Sequence, residues 1–324
     1  SARTFPLSTS FSQEPSMSTA PDHMSTHESE SDERNQSLKV YLNGKIVPRE
    51  QALVSVYDAG FMLGDGIWEG IRLYNGKWAF VEDHMDRLYE SARVVDMDIP
   101  LTREQMIEAL DQTAAANQMT QDVHARLKIT RGLKSKPFQD PRLSQQGLTI
   151  AIIMEHSKVP EHIYNKGITL HTVPIYRGLP VTQDPKLNSH SKLNCILACI
   201  HAQKAGADEA LMLDPQGFVN TTNSCNFFIV RRGEVWTSTG DYCMNGITRQ
   251  KVLDLCRAHQ IPIYVRNFSL METYGAEEAF LTGTFGAQTP VDSIDGRTIG
   301  TPGQWPMIEK IRKLYKNLVR EDTA

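Results

Sequence analysis

Three stretches between Asp184 and Arg249 carry residue types whose order suits chemistry on an aldehyde. They are His190-Ser191-Lys192-Leu193-Asn194, the polar loop GFVNTTNSCNFFIV (residues 217–230), and Gly246-Ile247-Thr248-Arg249. A lysine amine can hold an aldehyde as a Schiff base. A turn opening into a helix can hold a phosphate, because its unbonded N–H groups and the helix dipole both favour an anion. A lysine and an anion cup in this order suit one cofactor, pyridoxal phosphate. Lys186, in Pro185-Lys186-Leu187-Asn188, is the rival amine. The strand-to-helix context favours Lys192.

The elements around these stretches can be traced from local signals. Asn43-Gly44 between apolar runs predicts a hairpin. EDHMDRLYESARVV puts Met85, Leu88, Ala92 and Val95 on one helical stripe. Thr102 with Gln105 forms a capping box for a second helix reaching about Asn117. HARLKITRG and GLTIAIIMEH read as strands, so residues 38–156 suggest a small α+β domain. Residues 157–167 are the linker candidate. Residues 168–324 then form a larger domain. It opens with the strand ITLHTVPIYR, and a helix runs from about Leu193 to Ala205 with Gly206 just past its end. Short strands, a helix from Thr248 to about His259, a capping box at Ser269 and Glu272, and a closing surface helix from Gln304 to Val319 complete it. Residues 1–37, rich in Ser, Thr, Glu and Asp, read as a disordered tail.

Composition removes several classes of function. A net charge of −4 argues against a nucleic-acid binder. No apolar run is long enough to span a membrane. The five cysteines show no close CxxC pair, so neither a zinc site nor a disulfide framework is indicated. Cys195 and Cys199 read as packing residues. A cytoplasmic, reducing setting fits.

Further strings complete a resemblance. Arg87 lies in His84-Met85-Asp86-Arg87-Leu88, Trp68 and Gly70 in Leu63-Gly64-Asp65-Gly66-Ile67-Trp68-Glu69-Gly70-Ile71-Arg72, and Thr284 and Phe285 in Thr282-Gly283-Thr284-Phe285-Gly286 before Thr289-Pro290-Val291. With the lysine and the anion turn, these strings resemble the class IV aminotransferases over about Val40 to Arg312. The resemblance implies a two-domain α+β fold, with a small domain and a larger β-barrel-like one. It also implies a homodimer whose pocket is completed by the neighbouring subunit.

Carried over residue by residue, the resemblance implies roles for twelve positions. Lys192 would be the catalytic lysine. Arg87, Ile247, Thr248 and Thr284 would hold the cofactor phosphate, and Met244 would pack on its ring. Trp68, Gly70, His124, Arg126, Thr284 and Phe285 would bind substrate. His124 stands where the branched-chain group has a tyrosine. Thr221 takes the place of the glutamate that holds a proton on the pyridine nitrogen, and Cys195 that of a tyrosine near the phenolic oxygen. The implied activity is amino transfer between an apolar, branched-chain amino acid and a 2-oxo acid such as 2-oxoglutarate. Glu69-Gly70-Ile71-Arg72 leans that way. Leu193-Asn194 and the missing tyrosine resemble the D-amino acid and (R)-amine branches, and a lyase of the aminodeoxychorismate type would use the same lysine.

Overall fold

The structure, a computed structural model, describes residues 29–324. Its first half supplies strands β1 (Lys39–Leu42), β2 (Lys45–Pro48), β3 (Gly66–Tyr74), β4 (Lys77–Trp78), β5 (Val123–Thr130) and β6 (Thr149–His156). They form an antiparallel sheet in the order β2-β1-β6-β5-β3-β4. Asn43 and Gly44 turn the β1–β2 hairpin at φ 49° and 84°, the left-handed pair that a two-residue hairpin needs. A short helix α1 (Ala59–Leu63) precedes β3, and helices α2 (Val81–Val94) and α3 (Arg103–Ala116) cover one face of the sheet. On β5, Val123, Ala125, Leu127 and Ile129 are all buried at every second position, against Met85, Leu88 and Ala92 of α2 and Met106 and Leu110 of α3. A strand of period two thus meets helices of period 3.6 in one core.

The second half supplies β7 (Ile168–Thr172), β8 (Glu209–Leu213), β9 (Val219–Thr222), β10 (Asn226–Arg231), β11 (Glu234–Thr237), β12 (Ile263–Val265), β13 (Glu278–Gly283) and β14 (Ala287–Ile294). The order β10-β13-β14-β7-β8-β9 closes on itself where Asn226 pairs with Thr221, while β11 and β12 extend from β10. The result is a barrel-like sheet in a mixed α+β fold, as expected. Helices α4 (Glu161–Lys166), α5 (Leu193–Lys204), α6 (Ile247–Ala258), α7 (Leu270–Tyr274) and α8 (Pro306–Asp322) accompany it.

Four details differ from the sequence reading. Within the stretch expected to be a disordered tail, residues 33–37 form a 3-10 turn; residues 1–28 lie outside the described residues. Asn35 donates to the His156 carbonyl and accepts from its N–H, both at 2.8 Å. β1 pairs with β6 only at Ile152 and Ala151, so the β6 edge near His156 is open and the Asn35 amide takes a neighbouring strand's place. Composition misses this because the anchor is a hydrogen-bonding amide, and none of the five turn residues is buried. The linker candidate at 157–167 contains α4, whose Ile163 is fully buried in the barrel core. β7 stops at Thr172, just before Val173-Pro174, since proline has no N–H for the ladder. The closing helix is not only a surface element. Ile308, Ile311 and Tyr315 of α8 are buried, and Asp322 accepts the Phe80 N–H at the start of α2.

Candidate active site

A cavity of about 470 Å³ opens between the two sheets. Trp68 and Gly70 reach it from β3, Arg87 from α2, and His124 and Arg126 from β5. Lys192 comes from the start of α5, Thr221 from β9, Met244, Ile247 and Thr248 from the α6 turn, and Thr284 and Phe285 from the β13–β14 turn. All twelve residues singled out in the sequence line this one space.

Lys192 arrives through a device that local signals do not show. β4 pairs only with the far end of β3 and leaves the edge at residues 66–68 open. Asn188 to His190 fill that edge. Trp68 N–H donates to Asn188 O at 3.0 Å, His190 N–H to Gly66 O at 2.8 Å, and the Asn188 side chain to Trp68 O at 2.7 Å. Gly66 must be glycine, because a Cβ there would lie 2.6 Å from His190 Nδ1 and 2.7 Å from the Ile129 carbonyl. Two residues on, the chain turns into α5 with Lys192 at its N-cap. Burial, joined by the charges of Arg177 and Arg87 and opposed by Cys195, brings the Lys192 amine down to about 8. Lys186 is exposed and lies outside the cavity lining.

The anion cup forms where α6 begins. Gly246 is its N-cap and supplies no side-chain cap, so the first N–H groups of the helix face the cavity without a local acceptor. Asn226 fixes the turn, donating to Met244 O at 2.8 Å and accepting from Gly246 N–H at 3.2 Å. A Cβ on Gly246 would fall 2.3 Å from Asn226 Oδ1. Across the cup, Nη1 of Arg87 and Oγ1 of Thr282 are buried with no hydrogen-bond partner among the described residues.

The substrate side is apolar with cations at its rim. The Trp68 ring has Arg126, Lys128 and Lys192 within 5.7, 5.8 and 5.9 Å of its centroid. His124 meets Phe285 edge-on at 5.7 Å, and the Arg72 guanidinium lies 5.2 Å from the centroid of the Phe285 ring. A Cβ on Gly70 would come within 3.2 Å of His124 and 3.4 Å of Trp68, so the missing side chain is what keeps this corner open. Thr221 is buried and donates to the Cys225 carbonyl at 2.7 Å. Its proton is thereby committed, so its oxygen can act toward other groups only as an acceptor.

Local signals miss two residues of consequence. Arg177 lines the cavity and donates to Cys195 Sγ at 2.7 Å. In the sequence it reads as the end of a strand, and nothing in its neighbours signals a site. Glu69 lies within a motif that assigns it no role. It faces away from the cavity and grips Arg87. Strand alternation is the available signal, since residues 68 and 70 share a face that residue 69 cannot.

The chain is similar to known proteins. Residues 66–294 match the family model described as amino-transferase class IV. A branched-chain-amino-acid aminotransferase-like protein from Arabidopsis thaliana is 39% identical over 88% of this chain and 51% of its own length. The chain thus spans about half the length of that curated relative. A D-alanine aminotransferase from Listeria monocytogenes is 32% identical over 86% of this chain and 95% of its own. Among solved structures, the branched-chain aminotransferase from the thermophilic archaeon Thermoproteus uzoniensis, with norvaline, superposes with a TM-score of 0.79. It is 31% identical, over 88% of this chain and 96% of that one.

Proposed function

The chain belongs to the class IV aminotransferase family, and from that premise we propose that it is a pyridoxal-phosphate-dependent transaminase. Its substrates would be an apolar, branched-chain amino acid and a 2-oxo acid such as 2-oxoglutarate. One observation carries the reading. Arg87, Arg126, Arg177 and Lys192 line the cavity, and among the described residues no carboxylate does. Such a space suits an occupant with several negative charges, as a phosphorylated cofactor together with a carboxylate substrate would be.

The residues present fit pyridoxal phosphate. The unpartnered Nη1 of Arg87 and the uncapped start of α6, with Thr248 and Thr284, would hold the phosphate. Met244 would pack on the ring, and Thr221 would meet the ring nitrogen. Bound there, the cofactor would supply an aldehyde and an electron sink for the substrate Cα. Lys192, with its lowered proton affinity, serves as the amine that holds the aldehyde and then as the base that moves a proton. Arg126, with His124 and the Thr284 and Phe285 amides, binds carboxylate, while Trp68, Gly70 and Phe285 shape the apolar pocket.

The assembly we propose is a homodimer. Leu193, Ile196, Leu197 and Ile200 form an exposed apolar stripe on α5, and Leu53, Val54, Val56 and Phe61 a second exposed apolar group. Apolar surface of this kind marks an interaction face. No described helix is long and apolar enough to cross a membrane, and the cytoplasm is the compartment we propose. A D-amino acid reading is the alternative, supported by Leu193-Asn194 and by the similarity to the Listeria enzyme.

A donor panel tests the function. L-leucine, L-valine, D-alanine and (R)-1-phenylethylamine would each be offered with 2-oxoglutarate and with pyruvate. Turnover of L-leucine or L-valine is expected. Turnover of D-alanine alone would move the assignment to the other branch. Conversion of the cofactor to its amine form by donor alone separates a transaminase from a lyase.

A further inference from the structure

Behind the anion cup lies a carboxylate that the proposed reaction does not use. Trp68 and Gly70 face the cavity from β3, so Glu69 points the other way, toward α2. It is fully buried there. Glu69 Oε1 accepts from Arg87 Nε, and Oε2 from Arg87 Nη2, both at 2.7 Å. His84 Nδ1 lies 2.7 Å from the same Oε2. Two of the three guanidinium nitrogens are therefore taken, and the third, Nη1, is buried at the cavity wall with no hydrogen-bond partner among the described residues. Burial alone would raise the Glu69 carboxyl, but the charge and bonds of Arg87, and those of His84, outweigh it and hold it below the usual glutamate range. The group is a carboxylate at neutral pH.

We infer that Glu69 is a positioning residue for cofactor capture. It clamps the Arg87 fork from behind, with His84 as a second brace, so that only Nη1 is presented to the phosphate. The inference rests on the cofactor reading above and adds to it an acidic residue whose effect runs against its charge. Charge counting says that a carboxylate beside an anion site repels the anion, so removing it should tighten binding. Positioning says the reverse. A free arginine side chain carries large rotamer freedom, whereas a planar fork held at two nitrogens has lost that freedom before the ligand arrives.

The two accounts separate by measuring affinities of the full chain, stripped of cofactor, for pyridoxal phosphate and for unphosphorylated pyridoxal. Glu69→Gln is expected to lower pyridoxal phosphate affinity about tenfold, the scale of one charge-assisted contact. Pyridoxal affinity should move by less than about twofold, within the coupling of separate sites. Arg87→Ala should narrow the preference for the phosphorylated compound, and adding Glu69→Gln to it should lower affinity no further. Should Glu69→Gln not fold, His84→Leu carries the same comparison, with a smaller loss confined to the phosphorylated compound. Unchanged or tighter phosphate binding overturns the inference, as does an equal loss for both compounds. A wild-type chain without preference for the phosphorylated compound overturns the cofactor reading, and this inference with it.

Discussion

Burial holds the Lys192 amine at about 8, where an ordinary lysine lies at 10.5. The neutral amine is the attacking form, so capture of pyridoxal phosphate should speed up as pH rises and level off above about 8. A profile still climbing at higher pH would mean that the amine is not desolvated. Borohydride treatment should fix the cofactor on wild type and on Lys186→Ala, and leave Lys192→Ala unlabelled. Labelling lost in Lys186→Ala would transfer the role. Thr221 poses a different question at the same scale. Its proton is committed to the Cys225 carbonyl, and it brings no charge to the ring nitrogen. Thr221→Glu should therefore speed proton removal from a slow amino donor. The cost of burying a carboxylate without its usual neighbours opposes the gain, so rate and cofactor affinity need measuring together. Normal affinity with an unchanged half-reaction rate would show that Thr221 does not face the nitrogen.

At the scale of elements, the site depends on turns held by side chains from other strands. Asn226, on the barrel, uses its amide to tie Met244 and Gly246 into the turn that opens α6. Asn226→Ala removes both bonds, leaves the turn unbraced, and costs roughly 1–3 kcal/mol. Cofactor affinity should fall accordingly, as read by titration. Full affinity would mean that the turn is set by its own backbone. Glu278 acts similarly, since its carboxylate accepts the Met307 and Ile308 N–H groups at the start of α8. That helix lacks a cap of its own, so Glu278→Ala should lower the melting temperature by the effect of a lost cap, about 1 kcal/mol. An unchanged melt would leave α8 secured by Ile308, Ile311 and Tyr315 alone.

Taken whole, the molecule places its cavity between a six-stranded sheet and a barrel, with α8 reaching from one to the other. The exposed stripe on α5 starts beside Lys192, so a second copy covering it would also border the cavity. Ile196→Glu together with Ile200→Glu should therefore yield monomers by light scattering, with impaired turnover. A variant that still dimerises would move the interface to another face. Monomers with full turnover would show that each copy completes its own pocket.

Most of the elements are legible in the sequence, because their signals act over a few residues. The Asn43-Gly44 turn, the capping boxes at Thr102 and Ser269, and the start of α5 all appear where those local rules place them. The strings that resemble the class IV family also pointed to twelve residues, and all of them line one cavity. The choice of Lys192 over Lys186 rests on its strand-to-helix setting, and the cavity excludes Lys186. The rest lies in contacts made far apart along the chain. Asn188 holds Trp68 across 120 positions and Asn35 holds His156 across 121, pairings that no local rule encodes. Arg177 carries no motif, and Glu69 sits in one that leaves its partner open. Their partners were set only when β3 packed on α2 and the segment before α5 folded against the barrel. A side chain's direction is local, but what it meets there depends on elements arriving from elsewhere in the chain.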